Sequence, residues 1–258
     1  DLSKGNKNRL NKKITFKKMC ISNTKKLIHF LKENNISVII HLAGKTSAQE
    51  SQRKKREYLE TNYDYSRKLY EAAINSNVSK FIFASSAAVY GDGSKGFLEI
   101  EECENPLNLY AKSKKIFDDY VRCFDDHLTS QVVGLRYFNV YGKGEHNKGR
   151  MSSTCHQFST QAVNEGLIKV FEGSNKFLRD FIAADDVVSV ITYFLNNPKK
   201  SGIFNCGSGT PRSFSDMATS IQKIYPDTEI KEIKSNNYDY EVVYENHILN
   251  PWKLIIKK

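Results

Sequence analysis

Short apolar runs rich in β-branched residues alternate along this chain with amphipathic stretches of helical period. The strand-like runs are SVIIHLAG (37–44), SKFIFASS (79–86), QVVGLRYFNVYG (131–142), IKVFEG (168–173) and GIFNCGSG (202–209). Between them lie helix-like stretches such as residues 23–34, 52–75 and 184–197. Strands that alternate with helices at this spacing are typical of βαβ units. The sequence therefore predicts an α/β fold with a doubly wound, Rossmann-like parallel sheet.

The composition of the individual runs refines this prediction. SVIIHLAG and SKFIFASS are near-continuously apolar, which is typical of parallel strands covered on both faces. A further strand is predicted at ITFKKM (14–19). Capping residues predict three helix starts, at Asn23, at Asp185, and at Ser213 with Asp216 as a variant of the capping box.

Charge and cysteine content exclude several classes of function. The net charge is +10, but the lysines and arginines lie along the whole chain without the aromatic interleaving of a nucleic-acid reader. We therefore expect no nucleic-acid partner, although a diffuse positive field would attract a nucleotide diphosphate. The scattered cysteines lack CxxC spacing, so neither disulfides nor a metal site is predicted. The five cysteines are Cys20, Cys103, Cys123, Cys155 and Cys206.

Apolar runs are also too short for a membrane span. None approaches the roughly 20 residues that cross a bilayer, and residues 1–13 are too polar for a signal peptide. The sequence predicts a cytoplasmic protein that is not inserted in a membrane.

A phenol and an ammonium group lie one helical turn apart in NPLNLYAKSKKIFDDYV (105–121). Tyr110 and Lys114, at i and i+4, share one helix face. A nearby cation favours the phenolate and makes the phenol a better base. Upstream, Ser86 ends a predicted buried strand, where parallel sheets bind their ligands, and it could hydrogen-bond both a substrate oxygen and the Tyr110 hydroxyl. Without the Tyr-Lys pair, Ser85 and Ser86 would merely close a strand.

The order and spacing of SSAAVYG (85–91), YAKSK (110–114) and RYFNVYG (136–142) resemble the nucleotide-sugar epimerases of the extended short-chain dehydrogenase/reductase superfamily. More narrowly, residues 104–121, 130–151 and 169–187 are similar to the ADP-L-glycero-D-manno-heptose 6-epimerases. The resemblance implies a nucleotide-sugar epimerase that inverts C6 of an ADP-heptose by transient oxidation. The implied cofactor is NADP, with NAD as the alternative, and the complete protein is implied to be a homo-oligomer.

The resemblance also implies the catalytic and cofactor-binding residues. Two bases, Tyr110 and Lys148, are implied on opposite faces of the reacting carbon, because one base does not easily serve both. Ser86 and Lys114 complete the implied catalytic set. Lys114 is also implied to hold the nicotinamide ribose. The other implied cofactor contacts are Lys7 near a 2′-phosphate, Ala43, Gly44 and Thr46 near the pyrophosphate, and Asn62.

Substrate contacts are implied in the second half of the chain. They are Ser86, Asn139, Phe171, Glu172, Gly173, Ser174, Arg179 and Tyr240. The guanidinium fork of Arg179 suits a diphosphate, although a structural ion pair with Asp180 is the alternative. Gln157, where the family has a histidine, and Arg150, where it has a serine, are departures from the pattern.

The family begins with a strand, a glycine-rich turn, a helix and a second strand, and this sequence contains none of them. We therefore expect a fragment in which residues 1–145 form a partial NADP-binding domain and residues 146–258 mainly a substrate-binding α/β region, truncated at its C-terminus. Strand and helix 178–206 are expected to return to the first domain. We also expect SVIIHLAG to be a bare apolar edge.

Two alternatives remain open. One is another NAD(P)-dependent nucleotide-sugar epimerase, and the other is a non-catalytic remnant of such an enzyme. A dehydratase is disfavoured because Ala87 and Ala88 occupy the places of its acid-base pair.

Overall fold

The computed structural model describes residue 7 and residues 10–124 and 130–234. The strands are β1 Val38–His41, β2 Lys80–Ser86, β3 Gln131–Tyr137, β4 Asn139–Tyr141, β5 Leu167–Phe171, β6 Leu178–Ala183, β7 Gly202–Cys206, β8 Pro211–Ser213 and β9 Glu229–Ile233. The helices are α1 Thr24–Glu33, α2 Ala48–Arg53, α3 Lys55–Leu59, α4 Tyr65–Ile74, α5 Leu109–Arg122, α6 Thr154–Glu165, α7 Ala184–Asn196 and α8 Phe214–Ile224.

Four strands form a parallel sheet in the order β1-β2-β3-β7. Helices α1, α4 and α5 pack on one face of this sheet, where Phe81, Phe83 and Val132 enter their core. Helix α7 packs on the other face, against Ile82 and Leu135. A parallel sheet with helices on both faces confirms the predicted doubly wound α/β fold.

A second group of elements lies outside the main sheet. Strands β5 and β9 pair in parallel, and α6 and α8 pack beside them in a separate core that includes Phe158, Ile168 and Ile221. Strands β4, β6 and β8 form a three-stranded sheet. Strand β7 joins the main sheet, whereas β6, at the start of the segment 178–206, pairs with β4 and β8. The proposed division at residue 145 stays a prediction.

Coverage of the strands by helices differs along the sheet. Strands β2 and β3 are buried on both faces, as predicted for β2. The prediction for SVIIHLAG is half wrong: His41 is buried, but Val38 and Ile40 are exposed because nothing among the described residues packs on their face. Within the described ranges β1 pairs with β2 alone, so the expected bare apolar edge is present.

Three other local predictions are corrected. ITFKKM forms no strand, since no described strand pairs with it. Helix α7 begins at Ala184 with Ala183 as its N-cap, so Asp185 lies within the first turn and acts there on the helix dipole. The predicted strand 131–142 divides at Phe138 into β3 and β4, which belong to different sheets.

Helix caps at Asn23 and Ser213 are confirmed. The Asn23 side chain accepts a hydrogen bond from the backbone of Lys26, and Ser213 and Asp216 form a complete capping box. The long helix expected over 52–75 is interrupted. It divides into α2, α3, a π-helical turn at Glu60–Asp64, and α4.

Candidate active site

A cleft of about 410 Å³ lies at the carboxyl ends of β2 and β3, beside the first turns of α5. Its lining combines small, polar, apolar and aromatic residues from five parts of the chain. The lining residues are Leu42, Gly44, Thr46, Ala84, Ser85, Ser86, Tyr110, Lys114, Tyr137, Phe138, Val140 and Val187. Five of the residues expected to act in catalysis or cofactor binding are thus brought together, namely Gly44, Thr46, Ser86, Tyr110 and Lys114.

Tyr110 and Ser86 lie close together because α5 begins beside the carboxyl end of β2. Asn108 caps α5 by accepting a hydrogen bond from the Ala111 amide, 2.9 Å away, which fixes the first turn that carries Tyr110. The Ser86 hydroxyl hydrogen-bonds the Tyr110 phenol. Burial raises the pKa of Tyr110, and the bond from Ser86 opposes this rise without cancelling it. The group that favours the phenolate here is therefore the Ser86 hydroxyl.

Lys114 is a buried cation, and its ammonium donates to the Ala84 carbonyl at 2.8 Å. Burial lowers the pKa of Lys114 to about 8, while the negative charge of Asp118 acts in the opposite direction. His41 lies nearby and hydrogen-bonds Ser66 at 2.9 Å. Burial, followed by the charge of Lys114, lowers the pKa of His41 to about 4, so this imidazole is neutral near pH 7.

Asn62 fixes the loop that follows β1. Its side chain accepts from the Lys45 amide at 2.8 Å and donates to the Lys45 carbonyl at 2.9 Å and the Ser113 hydroxyl at 3.0 Å. The π-helical turn places this buried side chain between the loop and α5, and such turns often occur at functional sites. Ala43 lies in the same loop but not among the cleft-lining residues.

Gly44 marks a close approach at the cleft. A Cβ at this position would lie 3.1 Å from Asn62 Oδ1 and 3.2 Å from Lys114 Nζ. A side chain at residue 44 would therefore be tight against Asn62 and Lys114, which would have to shift by a few tenths of an ångström. A narrow opening with a buried cation, a hydroxyl and a phenol fits the ribose and nicotinamide end of a dinucleotide.

Lys148 lies apart from the lining residues of this cleft. It is on a 3₁₀ turn at His146–Met151, its side chain is 55% exposed, and its ammonium is 3.5 Å from Glu145 Oε2. Glu145 is buried and also accepts from the backbone of Gly142 and from the backbone and hydroxyl of Ser153. Burial acts to raise the pKa of Glu145, but these bonds outweigh it and hold that pKa below its usual value.

The expected substrate residues of the second half lie on β4, β6 and the turn after β5. Asn139 donates to the Asp180 carbonyl at 3.2 Å. The Arg179 guanidinium donates to the Leu178 carbonyl at 2.7 Å and lies 5.9 Å from the centroid of the Phe214 ring.

The turn Phe171, Glu172, Gly173 and Ser174 is held by hydrogen bonds. The Glu172 amide donates to Ile233, and the buried Ser174 hydroxyl bonds that of Ser215 at 2.6 Å. Lys7 is exposed, with its ammonium 5.5 Å from the centroid of the Phe16 ring, and Tyr240 lies outside the described residues. The site roles of all these residues stay predictions.

Sequence reasoning missed the apolar part of the cleft. Leu42, Tyr137, Phe138, Val140 and Val187 line it but were not predicted as site residues. Tyr137 is the last residue of β3, the strand next to β2, and Phe138 directly follows it. The rule that ligands bind beyond the strand ends would have found these two, had it been applied to β3 as well as β2.

The model of the NAD dependent epimerase/dehydratase family matches residues 1–207. The chain belongs to this family. It is 43% identical over 209 residues to ADP-L-glycero-D-manno-heptose-6-epimerase of Brachyspira hyodysenteriae, covering 80% of this chain and 65% of that protein. It is 47% identical over 192 residues to the enzyme of the same name from Cupriavidus pinatubonensis, covering 72% of this chain and 56% of that protein.

These identities confirm the resemblance to the heptose 6-epimerases. The chain spans less than two thirds of the length of either relative. Among solved structures, the ADP-L-glycero-D-manno-heptose-6-epimerase of Helicobacter pylori matches with a TM-score of 0.74 and 29% identity, over 84% of this chain and 66% of that one. Family membership identifies the cofactor class as a nicotinamide dinucleotide.

The described residues contain neither a candidate membrane-spanning helix nor a candidate metal site. None of their helices has the length and apolar character that crossing a membrane requires. No group of three or more His, Cys, Asp or Glu side chains in the same residues is arranged to hold a metal ion.

Proposed function

We propose that the protein containing this chain is an epimerase that inverts C6 of ADP-D-glycero-D-manno-heptose through a 6-keto intermediate. The observation that carries the proposal is the convergence of Ser86, Tyr110 and Lys114 on one cleft, in a chain 40–47% identical to enzymes named for this reaction. When bound, the nicotinamide supplies the group that takes up a hydride and gives it back.

In the proposed reaction Tyr110 and Ser86 handle the proton of the sugar hydroxyl. The phenolate of Tyr110 accepts the hydroxyl proton as the C–H bond breaks, and Ser86 holds the substrate oxygen through a second hydrogen bond. Ser86 favours the ionised phenol in this structure, and Lys114, one turn along α5, is proposed to add the effect of its positive charge when substrate and cofactor are bound. Because the pKa of Tyr110 is raised in this structure, binding must strengthen that electrostatic effect before the phenol acts as a base.

Lys148 is proposed as the second acid-base group, on the opposite face of the reacting carbon. To act there, its ammonium has to leave Glu145 and turn towards the cleft. As a base it must also be neutral, and displacement from a carboxylate into a less solvated position lowers the pKa of a lysine. The exposed side chain of Lys148 and its position in a loop allow such a movement.

NADP is the proposed cofactor, with NAD as the alternative, and Lys7 is proposed to contact the 2′-phosphate of NADP. Arg179 and Asn139, with the turn from Phe171 to Ser174 and Tyr240, are proposed to bind the ADP-sugar. The nucleotide that copurifies with the complete gene product, identified by its mass, distinguishes NADP from NAD.

Interconversion of the two C6 epimers of ADP-heptose by the complete gene product tests the reaction and both bases. Replacing an acid-base group typically costs 10²- to 10⁴-fold in rate, so we expect Tyr110→Phe and Lys148→Met each to slow interconversion by at least about 100-fold. The measurement is the ratio of epimers over time, by chromatography.

Matched control variants distinguish loss of an acid-base group from a general disturbance of the fold. Tyr120→Phe removes another phenol of α5, which hydrogen-bonds Glu71 outside the cleft, and Lys143→Met removes another exposed lysine of the same loop. Both should interconvert the epimers at nearly the wild-type rate. If Lys148→Met is as fast as Lys143→Met, the two-base assignment is wrong even though the epimerase remains. If the unmodified protein does not interconvert the epimers, the proposed function is wrong.

A second candidate is epimerisation at C4 of a UDP-sugar. The chain matches UDP-N-acetylglucosamine 4-epimerase of Methanobrevibacter ruminantium with a TM-score of 0.84 and 25% identity, over 98% of this chain. Offering UDP-N-acetylglucosamine beside the ADP-heptoses in the same assay distinguishes the two candidates, and turnover of the UDP-sugar alone would favour the second.

A further inference from the structure

A buried carboxylate lies directly behind Lys114 on α5. Tyr110, Lys114 and Asp118 are spaced by four residues each, so they follow one another along a single helix face. Asp118 is fully buried, and its negative charge acts on Lys114. The helix therefore carries a phenol, an ammonium and a carboxylate in a row that begins at the cleft.

Two neighbouring strands hold this carboxylate in place. Ser85 on β2 and Arg136 on β3 are directly paired in the sheet, and both reach Asp118. Oδ2 of Asp118 accepts from the Ser85 hydroxyl at 2.9 Å, from Arg136 Nε at 3.1 Å and from Arg136 Nη2 at 3.0 Å. Oδ1 has no hydrogen-bond partner among the described residues.

Arg136 is in turn fixed from two other sides. Its side chain is fully buried, and Nη1 donates to the Tyr90 hydroxyl at 3.0 Å while Nη2 also bonds Glu104. Burial acts to lower the pKa of Arg136, but Asp118 and Tyr90 outweigh it and raise that pKa above its usual value. Arg136 therefore stays cationic and keeps Asp118 anchored.

Stability alone does not explain the buried ion pair of Asp118 and Arg136. Apolar residues of similar volume are often equally stabilising in such a place, because desolvation offsets most of the charge attraction. Here the pair is adjacent to the lysine of the cleft, and one carboxylate oxygen has no hydrogen-bond partner in the part of the chain that the structure describes. We propose that Asp118, anchored by Arg136 and Ser85, is a positioning residue that keeps Lys114 charged and in place at the cleft.

Other charged and titratable groups around Lys114 come from several elements. On the elements that pack around Lys114, these groups are His41 on β1, Lys45 in the loop after β1, Glu50 on α2, Glu57 and Tyr58 on α3, Tyr110 on α5 and Arg136 on β3. Lys45 is paired with Glu57 at 2.8 Å, and Tyr58 bonds Glu50. His41, with a pKa of about 4, and Tyr110, whose pKa is raised, do not change charge between pH 6 and pH 9.

Competitive labelling of lysines tests the proposal without any substrate. A trace amount of acetic anhydride reacts only with neutral amines, so the labelling of Lys114 against pH, followed by mass spectrometry, gives its titration midpoint. We expect about pH 8 for the unmodified chain. In Asp118→Asn the midpoint should fall by about one pH unit, which raises the neutral fraction of Lys114, and so its labelling rate at pH 7, about fivefold.

Asp119→Asn is the matched control. It removes the same charge from the next residue of α5, but Asp119 lies at the surface and pairs with Lys115 and Arg122. Its Lys114 midpoint should equal that of the unmodified chain. A variant that merely loosened the fold would expose Lys114 and raise the midpoint, since burial is what lowers it. The direction of the change therefore distinguishes the two roles.

A second variant covers the case in which Asp118→Asn does not fold. The double variant Asp118→Asn/Arg136→Gln removes both charges of the pair, so neither is left uncompensated, and its Lys114 midpoint should also fall. An unchanged or higher midpoint in whichever variant is folded would overturn the proposal. The importance of Lys114 for catalysis rests on the proposed function, but the labelling does not, so a protein that fails to epimerise ADP-heptose leaves this test intact.

Discussion

At the scale of single residues, Glu104 shows how the charges beneath the site are balanced. Its buried carboxylate accepts from Arg122 at 2.5 Å and 3.1 Å, pairs with Lys115 at 2.9 Å and also contacts Arg136. Burial acts to raise the pKa of Glu104, but the bonds from Arg122 and Arg136 outweigh it and lower that pKa to about 2. The carboxylate therefore stabilises the folded chain through its negative charge.

Glu104→Gln should lower the free energy of unfolding at pH 7 by about 3 kcal/mol, the free-energy equivalent of a pKa that falls from 4.5 to about 2. Because the folded pKa is the lower one, this stabilisation is complete above pH 4.5 and is lost as the pH falls towards 2. The difference between the variant and the unmodified chain should therefore shrink over that range. Urea unfolding at pH 7 and at pH 3 measures it.

Glu101→Gln is the control for this substitution, since Glu101 is an exposed carboxylate three residues earlier. It should leave the free energy of unfolding within about 0.5 kcal/mol of the unmodified value. A gap between Glu104→Gln and the unmodified chain that is as large at pH 3 as at pH 7 would mean that charge is not the cause.

At the scale of secondary structure, α5 connects the cleft with the interior. Its first turn carries Tyr110, its second Lys114 and its third Asp118, while Phe117 and Val121 pack into the core under the sheet. The position of Tyr110 therefore depends on how firmly the first turn is held. The side-chain cap of that turn is Asn108, whose oxygen accepts a hydrogen bond from the Ala111 amide.

Asn108→Ala should reduce the free energy of unfolding by about 1 kcal/mol, the usual cost of removing such a cap. Asn108→Ser retains a capping oxygen and should recover most of this loss. The measurement is urea unfolding followed by circular dichroism. Lys112→Ala, on the exposed face of the same helix, should change stability little. If Asn108→Ala and Asn108→Ser are equally stable, the cap does not hold the turn.

At the scale of the whole molecule, the sequence predicted the positions of helices and strands better than the contacts between them. The apolar runs located β2 and β3, and the Tyr-Lys spacing located the cleft, because both depend on local periodicity. The break at Phe138, the π-helical turn at Asn62 and the coil at 14–19 depend on tertiary contacts, which periodicity does not contain. The buried pair of Asp118 and Arg136 was missed for the same reason: each residue alone resembles an ordinary surface charge.

The unpaired edge of the main sheet affects how the chain behaves in solution. Among the described residues β1 is paired on one side only, and Val38, Ile40 and Leu42 are exposed beside the unpaired side. An open apolar edge of this kind offers hydrogen bonds and hydrophobic surface to another chain, and proteins usually protect such edges with charge. We therefore expect this chain by itself to associate through β1.

Ile40→Lys places a charge on that edge and should reduce the association, as seen by sedimentation velocity over a range of concentrations. The control is Val188→Lys. Val188 is 59% exposed on α7, against 42% for Ile40, so the control removes at least as much exposed apolar surface but leaves the edge of the sheet unchanged. If general hydrophobicity caused the association, Val188→Lys would reduce it as much as Ile40→Lys does. If strand pairing causes it, only Ile40→Lys has an effect, because only that lysine places a charge beside a strand added to β1.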